Sequence, residues 1–424
     1  MTPEIKQQIE QIRRGEVPEG FKHNSASVMP CDWNTCDFHE VATIQSGLVS
    51  PKEEPYCFMF HIGPDNIERD TGRIGNLKTA CELGLVSGKF YFDAGSIVYS
   101  KIRPNLNKVC IPNFEGICSA DCYSIKARAG IDRDYLFNLM LSFPFYRRAV
   151  ACSMRTGMPK INQDDLNAIP VVMPSQLEEQ QKIAAILTTQ DKVVELKEKL
   201  LAEKQRQKKY LMQQLLTGKK RLPGFSGEWK VNRLRNIATR HTKRNTIGNT
   251  NALTISAQYG LINQAEFFNK AVASDDKSNY FLLEKGDFAY NKSYSNGYPF
   301  GAIKRLTRYE VGIVSPLYIC FRIKEGSVSG EYLEQYFEAG LMNHEIQAFA
   351  QEGARNHGLL NIAVDDFFNS KILLPSPEEQ TAIAEIFSTA DREIDLLRQD
   401  IEQEKQKKKA LMQLLLTGIV RVCG

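Results

Sequence analysis

Apolar residues recur at helical spacing in two long stretches that nearly copy each other about 200 residues apart. In the first, Ile183, Ile186, Val193, Leu196, Leu200, Leu211 and Leu215 form a stripe; in the second, Ile383, Ile386, Ile394, Leu397, Ile401, Leu411 and Leu415 form its counterpart. Steps of three and four predict amphipathic helices. Each has start and stop signals. Ser175-x-x-Glu178 and Ser376-x-x-Glu379 read as capping boxes, Pro377 suits a first helical turn, and Gly218 and Gly418 suit a left-handed stop. The roughly 40 intervening residues lack Gly and Pro, so each helix should span about 60 Å at 1.5 Å per residue. Helices of that length need a partner surface. The simplest partner for each is the other, in an antiparallel coil whose polar stretches, 203–209 and 402–409, form an exposed shaft.

The segments between the helices also repeat. Trp33 opens W-x4-F-xx-V-A-T and Trp229 opens W-x4-L-xx-I-A-T. Alternating apolar residues predict strands over 90–98, 288–290 and 317–323. Helices are expected after Asp134 and Glu331, and each half closes on Asp164-Asp-Leu166 or Asp365-Asp-Phe367 before a short apolar strand. The fold class is therefore α+β: two similar mixed globular halves joined by two long antiparallel helices, with pseudo-twofold symmetry. The expected boundaries are 16–174 and 219–375 for the halves, and 175–218 and 376–418 for the helices. An N-terminal helix over 1–15, striped by Ile5, Ile9 and Ile12, either packs near the conserved helices or covers a core patch.

With 424 residues, 42% hydrophobic and 25% charged, the chain has room for two or three globular domains. No apolar run is long enough to span a bilayer, and a cytoplasmic location is expected. A net charge of +4 identifies no partner by itself. Eight of the ten cysteines fall between Cys31 and Cys152, without the tight paired spacing of a zinc site, and read as buried free thiols. Phosphate-loop, dinucleotide, HExxH, GxSxG and amino-methyltransferase signatures are all missing, and no metal site is expected. Asp287 with Lys292 invites a nuclease reading, but the equivalent pair is Ser96 with Lys101, so the carboxylate a metal would require is not duplicated.

What the halves share instead is polar loops of basic, amide and aromatic residues in matching places. After one strand come Lys101, Arg103, Asn105, Asn107 and Lys108; after its counterpart come Asn291, Lys292, Tyr294, Asn296 and Tyr298. Arg and Lys suit guanine edges and Asn suits adenine, so these are candidate base readers. A second pair of glycine-bearing loops carries Arg155 and Lys160, and Arg355, Asn356 and His357, with basic entry segments at Arg240, Lys243 and Arg244 and at 69–78. Matched position with unmatched sequence is what two readers of different DNA sequences require.

P-S followed after one or two residues by E-E-Q-x-x-I-A-x-I near each helix start, L-M-Q-x-L-L-T-G at each helix end and the tryptophan motif opening each half together resemble the specificity subunit of type I restriction-modification systems. The resemblance covers essentially the whole chain. It implies two target recognition domains, each reading half of a bipartite DNA site, and helices that set the spacer and dock partners. Ile183, Ile186, Leu200, Leu211, Leu215, Ile383, Ile386, Ile401, Leu411 and Leu415 would serve packing and docking. It further implies no catalysis in this chain: two methyltransferase subunits would use S-adenosylmethionine, and restriction/translocase subunits would use ATP and Mg. The alternatives are a single-chain nuclease or restriction enzyme, and a coiled-coil interaction protein without a DNA role.

Overall fold

The computed structural model describes residues 3–23, 28–153, 159–256, 259–268, 277–294, 297–352 and 360–422. The chain divides into two compact units, Met1–Lys197 with Asp400–Gly424, and Glu198–Gln399. Both divisions fall inside the long helices, Leu177–Leu215 and Pro377–Leu416.

The two units repeat one construction. In the first, a four-stranded antiparallel sheet runs Val109–Cys110, Ile97–Ser100, Cys122–Ala127, Ala42–Ile44. In the second, Ala302–Arg305, Phe288–Asn291, Ile319–Ile323 and Ala238–Arg240 take the same order. The expected strand over 90–98 is two strands, Lys89–Phe92 and Ile97–Ser100, because Asp93 Oδ1 accepts from Gly95 N and Ser96 Oγ and folds a turn between them. The expected strand over 317–323 begins at Ile319, and Leu317 is exposed. The strand that begins at or just after each tryptophan pairs with the strand that precedes the long helix: Trp33–Asp37 with Pro170–Pro174, and Lys230–Arg233 with Lys371–Leu374. Sheet supplements differ. Among the described residues, the first unit adds a five-stranded sheet and the pair Phe21–His23 with Val28–Pro30, whereas the second adds three separate two-stranded pairs, Phe281–Glu284 with Val311–Val314, Leu253–Ser256 with Gly260–Asn263 and Gln351–Glu352 with Leu360–Asn361.

Both cores are completed by helix ends. Around Trp33, Phe38 and Tyr135 gather Ile183 and Leu187 from the start of the central helix and Leu415 and Leu416 from the end of the C-terminal one. Around Tyr290, Phe321 and Phe367 gather Ile383 and Phe387, with Met212, Leu215 and Leu216. Within each unit the helix segments run antiparallel and are ion-paired: Lys197 reaches Asp400 and Glu404 at 2.8 Å each and Lys408 reaches Asp191, while Lys204 reaches Glu393 at 2.8 Å and Lys208 reaches Asp391. The stripe is out of phase at mid-helix, however. Leu196 and Leu200 are 64% and 48% exposed, and Val194 is buried in place of Val193.

The repeated Glu-Glu-Gln at each helix start has a specific role. Glu179 accepts from Trp33 Nε1 at 3.3 Å and from Arg421 Nε at 2.7 Å; Glu379 accepts from Trp229 Nε1 at 3.1 Å and from Arg221 Nε at 2.6 Å. Gln180 and Gln380 each accept from a backbone N–H, of Asp132 and Ser329, and donate to the carbonyls of Pro174 and Pro375. The expected capping boxes are thereby corrected. Ser175 donates to Asp32 O at 2.7 Å because the helix starts two residues on, at Leu177, and Glu178 pairs with Lys182. Ser376 does accept from Glu379 N at 3.3 Å, but the Glu379 carboxylate is held by the Arg–Trp clasp. Gly218 and Gly418 stop the helices at φ 69° and 72°, and a Cβ on Gly418 would lie 2.6 Å from Pro30. The N-terminal helix forms over Pro3–Arg13 with no buried residue.

Candidate nucleic-acid interface

In the first unit, two loops far apart in sequence form one rim. The segment leaving Ile97–Ser100 runs beside Pro159–Ile161: Arg103 N donates to Pro159 O at 2.8 Å, Ile161 N donates to Lys101 O at 2.9 Å, and Ile102 bridges Lys160. Lys101, Arg103, Asn105 and Lys160 therefore stand together, the last three exposed. The Lys101 ammonium sits 5.2 Å from the centre of the Tyr123 ring. Burial, and then the positive charge of Lys160, lower its pKa, and an anion placed at this rim would favour the charged form.

Two expected base readers are anchors instead. Asn107 is buried, with Nδ2 donating to Asp70 Oδ1 at 3.1 Å and to Leu141 O at 3.2 Å. Lys108 Nζ is spent on Pro64 O at 2.6 Å. Their polar atoms are occupied because the loop must turn sharply: Pro104–Leu106 forms one 3-10 turn between Arg103 and Asn107, both left-handed at φ 48° and 45°. These anchors also tie the 64–70 segment to the rim. Arg69 there is held by Asp70 at 2.9 Å. No single-sequence signal separates Asn107 from Asn105, although Asn is among the few residue types that accept the left-handed region readily.

In the second unit, Arg240 is exposed on the edge strand Ala238–Arg240. Lys243 pairs with Glu284 at 3.3 Å; Arg244 lies 5.0 Å from the Phe281 ring centre and donates to Asn279 O. Asn291 shapes the turn by accepting from Ser293 N at 3.1 Å. Lys292 O accepts from Leu360 N at 3.1 Å, which sets Leu360 beside this strand end, just as Pro159–Ile161 lies beside Lys101. Tyr294 is 65% exposed and offers a stacking face. Tyr298 is half-buried and its hydroxyl is engaged within the fold: it donates to Glu338 at 2.6 Å and accepts from Lys304, and burial, then the Glu338 charge, push its pKa far up. Arg155, Asn296, Arg355, Asn356 and His357 lie outside the described residues.

Of the helix positions, Ile183, Leu215, Ile383, Ile401 and Leu415 are buried, and Leu211, Ile386 and Leu411 partly so. Ile186 and Leu200 are exposed, as are Leu196 and its equivalent Leu396. The expectation that all cysteines are buried is corrected: Cys31 and Cys81 are exposed, while burial raises the Cys118 thiol to about 12 and the Cys36 thiol to about 11. Among the described residues, no group of three or more His, Cys, Asp or Glu could hold a metal ion, and no helix is long and apolar enough to cross a membrane.

Comparison with known proteins agrees with this duplicated arrangement. Residues 30–205 and 226–406 each match the type I restriction modification DNA specificity domain. The chain is 41% identical over 181 residues to the EcoDI specificity subunit of Escherichia coli, an alignment covering 43% of this chain and 38% of that relative. It is 26% identical over 334 residues to the MjaVIII specificity subunit of Methanocaldococcus jannaschii, covering 73% of this chain and 75% of that one. Its fold is similar to a chain from a study of type I R-M complex assembly and conformational transition, with TM-score 0.58 and 18% identity over 92% of this chain and 99% of that one. It is also similar to the S subunit from M. genitalium, with TM-score 0.54 and 12% identity over 93% and 97% of the two chains. With both halves matched, the chain belongs to the type I restriction-modification DNA specificity family.

Proposed function

We propose that the two units each read one half of a bipartite DNA target, the first through the rim of Lys101, Arg103, Asn105 and Lys160 and the second through Arg240, Lys292 and Tyr294. The observation that carries this reading is the pairing of sameness with difference. The sheet order and the clasp at the helix start are common to both units, whereas the residues leaving the equivalent strand ends differ in sequence. Basic and amide side chains at a strand end suit phosphate and base-edge contacts. The chain itself performs no chemistry in this reading. Two methyltransferase subunits carrying S-adenosylmethionine dock on it, and restriction/translocase subunits use ATP and Mg. Leu196, Leu200 and Leu396, exposed on the helices, are the apolar contacts such docking would cover.

The test is an exchange of domains. Replacing residues 33–174, whose first and last strands pair with each other, by the same region of another family member should change one methylated half-site and leave the other intact. Base-resolution mapping of adenine methylation in cells carrying the whole system reads both half-sites and the gap. A change in both half-sites would overturn the assignment of one reader to each unit.

A further inference from the structure

Non-glycine residues in the left-handed region are rare, because Cβ crowds the backbone there. Among the described residues there are four, Asp70, Asn76, Arg103 and Asn107, all between positions 70 and 107. Three of them meet at the rim: Asp70 N donates to Asn107 O, and Asn107 Nδ2 donates back to Asp70 Oδ1. Asp and Asn accept this conformation more readily than other non-glycine residues, and side-chain hydrogen bonds hold both here, Asp70 to Arg69 and Asn107 to Asp70 and Leu141. Arg103 has no such reason. Its strain is held by the surroundings, through Pro159 O, the Leu106 N–H on its own carbonyl and the anchored Asn107. Strain kept in place this way points to a side chain whose direction matters.

The Arg103 side chain is also uncommitted. It is exposed and, among the described residues, makes no hydrogen bond or ion pair. Three other arginines of this unit are engaged: Arg69 by Asp70, Arg133 by Asp134 and Ala94 O, and Arg148 by Pro170 O. Lys101 and Lys160 flank it and bring compact point charges, which suit phosphate and need no fixed direction. A planar fork on a rigid platform suits a directional target.

Resting on the DNA-reading assignment above, we propose that Arg103 is the specificity-determining residue of the first unit and reads a guanine in the major groove. Its guanidinium donates two hydrogen bonds to the O6 and N7 acceptors of that base, and the left-handed turn presets the approach. Lys101 and Lys160 hold the adjoining phosphates.

The backbone supplies an unusual control. Glycine prefers the Arg103 conformation, so Arg103→Gly should fold at least as well as the wild type, with an unchanged or raised Tm. The experiment uses the full chain, coexpressed with its partner methyltransferase subunits, acting on a plasmid library randomised across the first half-site. We expect Arg103→Gly and Arg103→Lys both to lower methylation about ten- to a hundred-fold at sites with guanine at one position of that half-site. The gap and the second half-site should remain unchanged. Lysine keeps the charge and loses the fork, so a uniform fall across all sequences that Arg103→Lys restores would make Arg103 a phosphate contact and overturn the proposal. Unchanged half-site preference in both variants would overturn it too. Failure of the domain exchange to alter any half-site would instead remove the reading on which it rests.

Discussion

His61 lies in the first unit's strand Phe60–Ile62, half-buried, and its Nε2 has no hydrogen-bond partner among the described residues. Burial, followed by the nearby Lys89 charge, lowers its pKa from the usual 6.5 to about 4. The unfolded chain therefore takes up a proton below pH 6.5 that the folded chain refuses. The stabilisation is complete above that pH and is lost as pH falls toward 4. Between pH 7 and pH 5 it amounts to at most about 2 kcal/mol, less for a ring that still meets water. Urea midpoints at the two pH values should fall more steeply for wild type than for His61→Gln; equal falls would show that another group is responsible. Individual roles at this scale are hard to read from sequence. Asn105 and Asn107 are the same residue two positions apart, yet one is exposed and the other is a buried anchor. Only the backbone turn between them decides which. Tyr298 likewise looks like its exposed neighbour Tyr294 until Glu338 and Lys304, distant in sequence, close around its hydroxyl.

The long helices were legible because a 3.6-residue period sustained over ten turns, bounded by a terminal glycine, has few other solutions. The phase of their stripes was not. Val193-Val194 and Leu200-Leu201 put apolar side chains on adjacent faces, so the pattern permits two orientations, and the structure buries Val194 while exposing Leu200. The clasp was partly written in the sequence: Arg221 and Arg421 both stand three residues after the helix-ending glycine. Its partners were not, because Glu179 lies 242 positions from Arg421. Glu379 is 1% exposed and Arg221 covers it with two hydrogen bonds, at 2.6 and 2.7 Å. Arg221→Ala would leave that buried carboxylate with the Trp229 indole donor but without its positive partner, and should lower the urea midpoint. Glu379→Gln added to it should restore part of the loss, since the amide carries no charge to strand. Urea unfolding of the single and double variants measures both, and an unchanged midpoint for Arg221→Ala would show the clasp to be a surface pair.

At the scale of the molecule, each compact unit is assembled from one half and from segments of both helices, divided between Lys197 and Glu198 and between Gln399 and Asp400. Neither helix belongs to one unit, so lengthening one alone would break the register of its ion pairs. Lys197 with Asp400 and Glu404 lies on one side of the divisions, and Lys204 with Glu393 on the other. Four helical residues inserted after Lys197 and four more after Gln399 would keep every one of these pairs. They would add about 6 Å of helix and a little over one turn. If the helices set the spacer of a bipartite site, the double insertion should lengthen the unread gap by about two base pairs, at roughly 3.4 Å per pair along one strand, and leave both half-sites unchanged. An insertion after Lys197 alone should destabilise the chain rather than move the gap, because the register of the helix pair changes on one side only. Adenine methylation mapping of the double insertion decides the matter. An unchanged gap with full methylation would mean that spacing is set elsewhere, by the DNA or by partner subunits, and that the duplicated helices serve assembly alone.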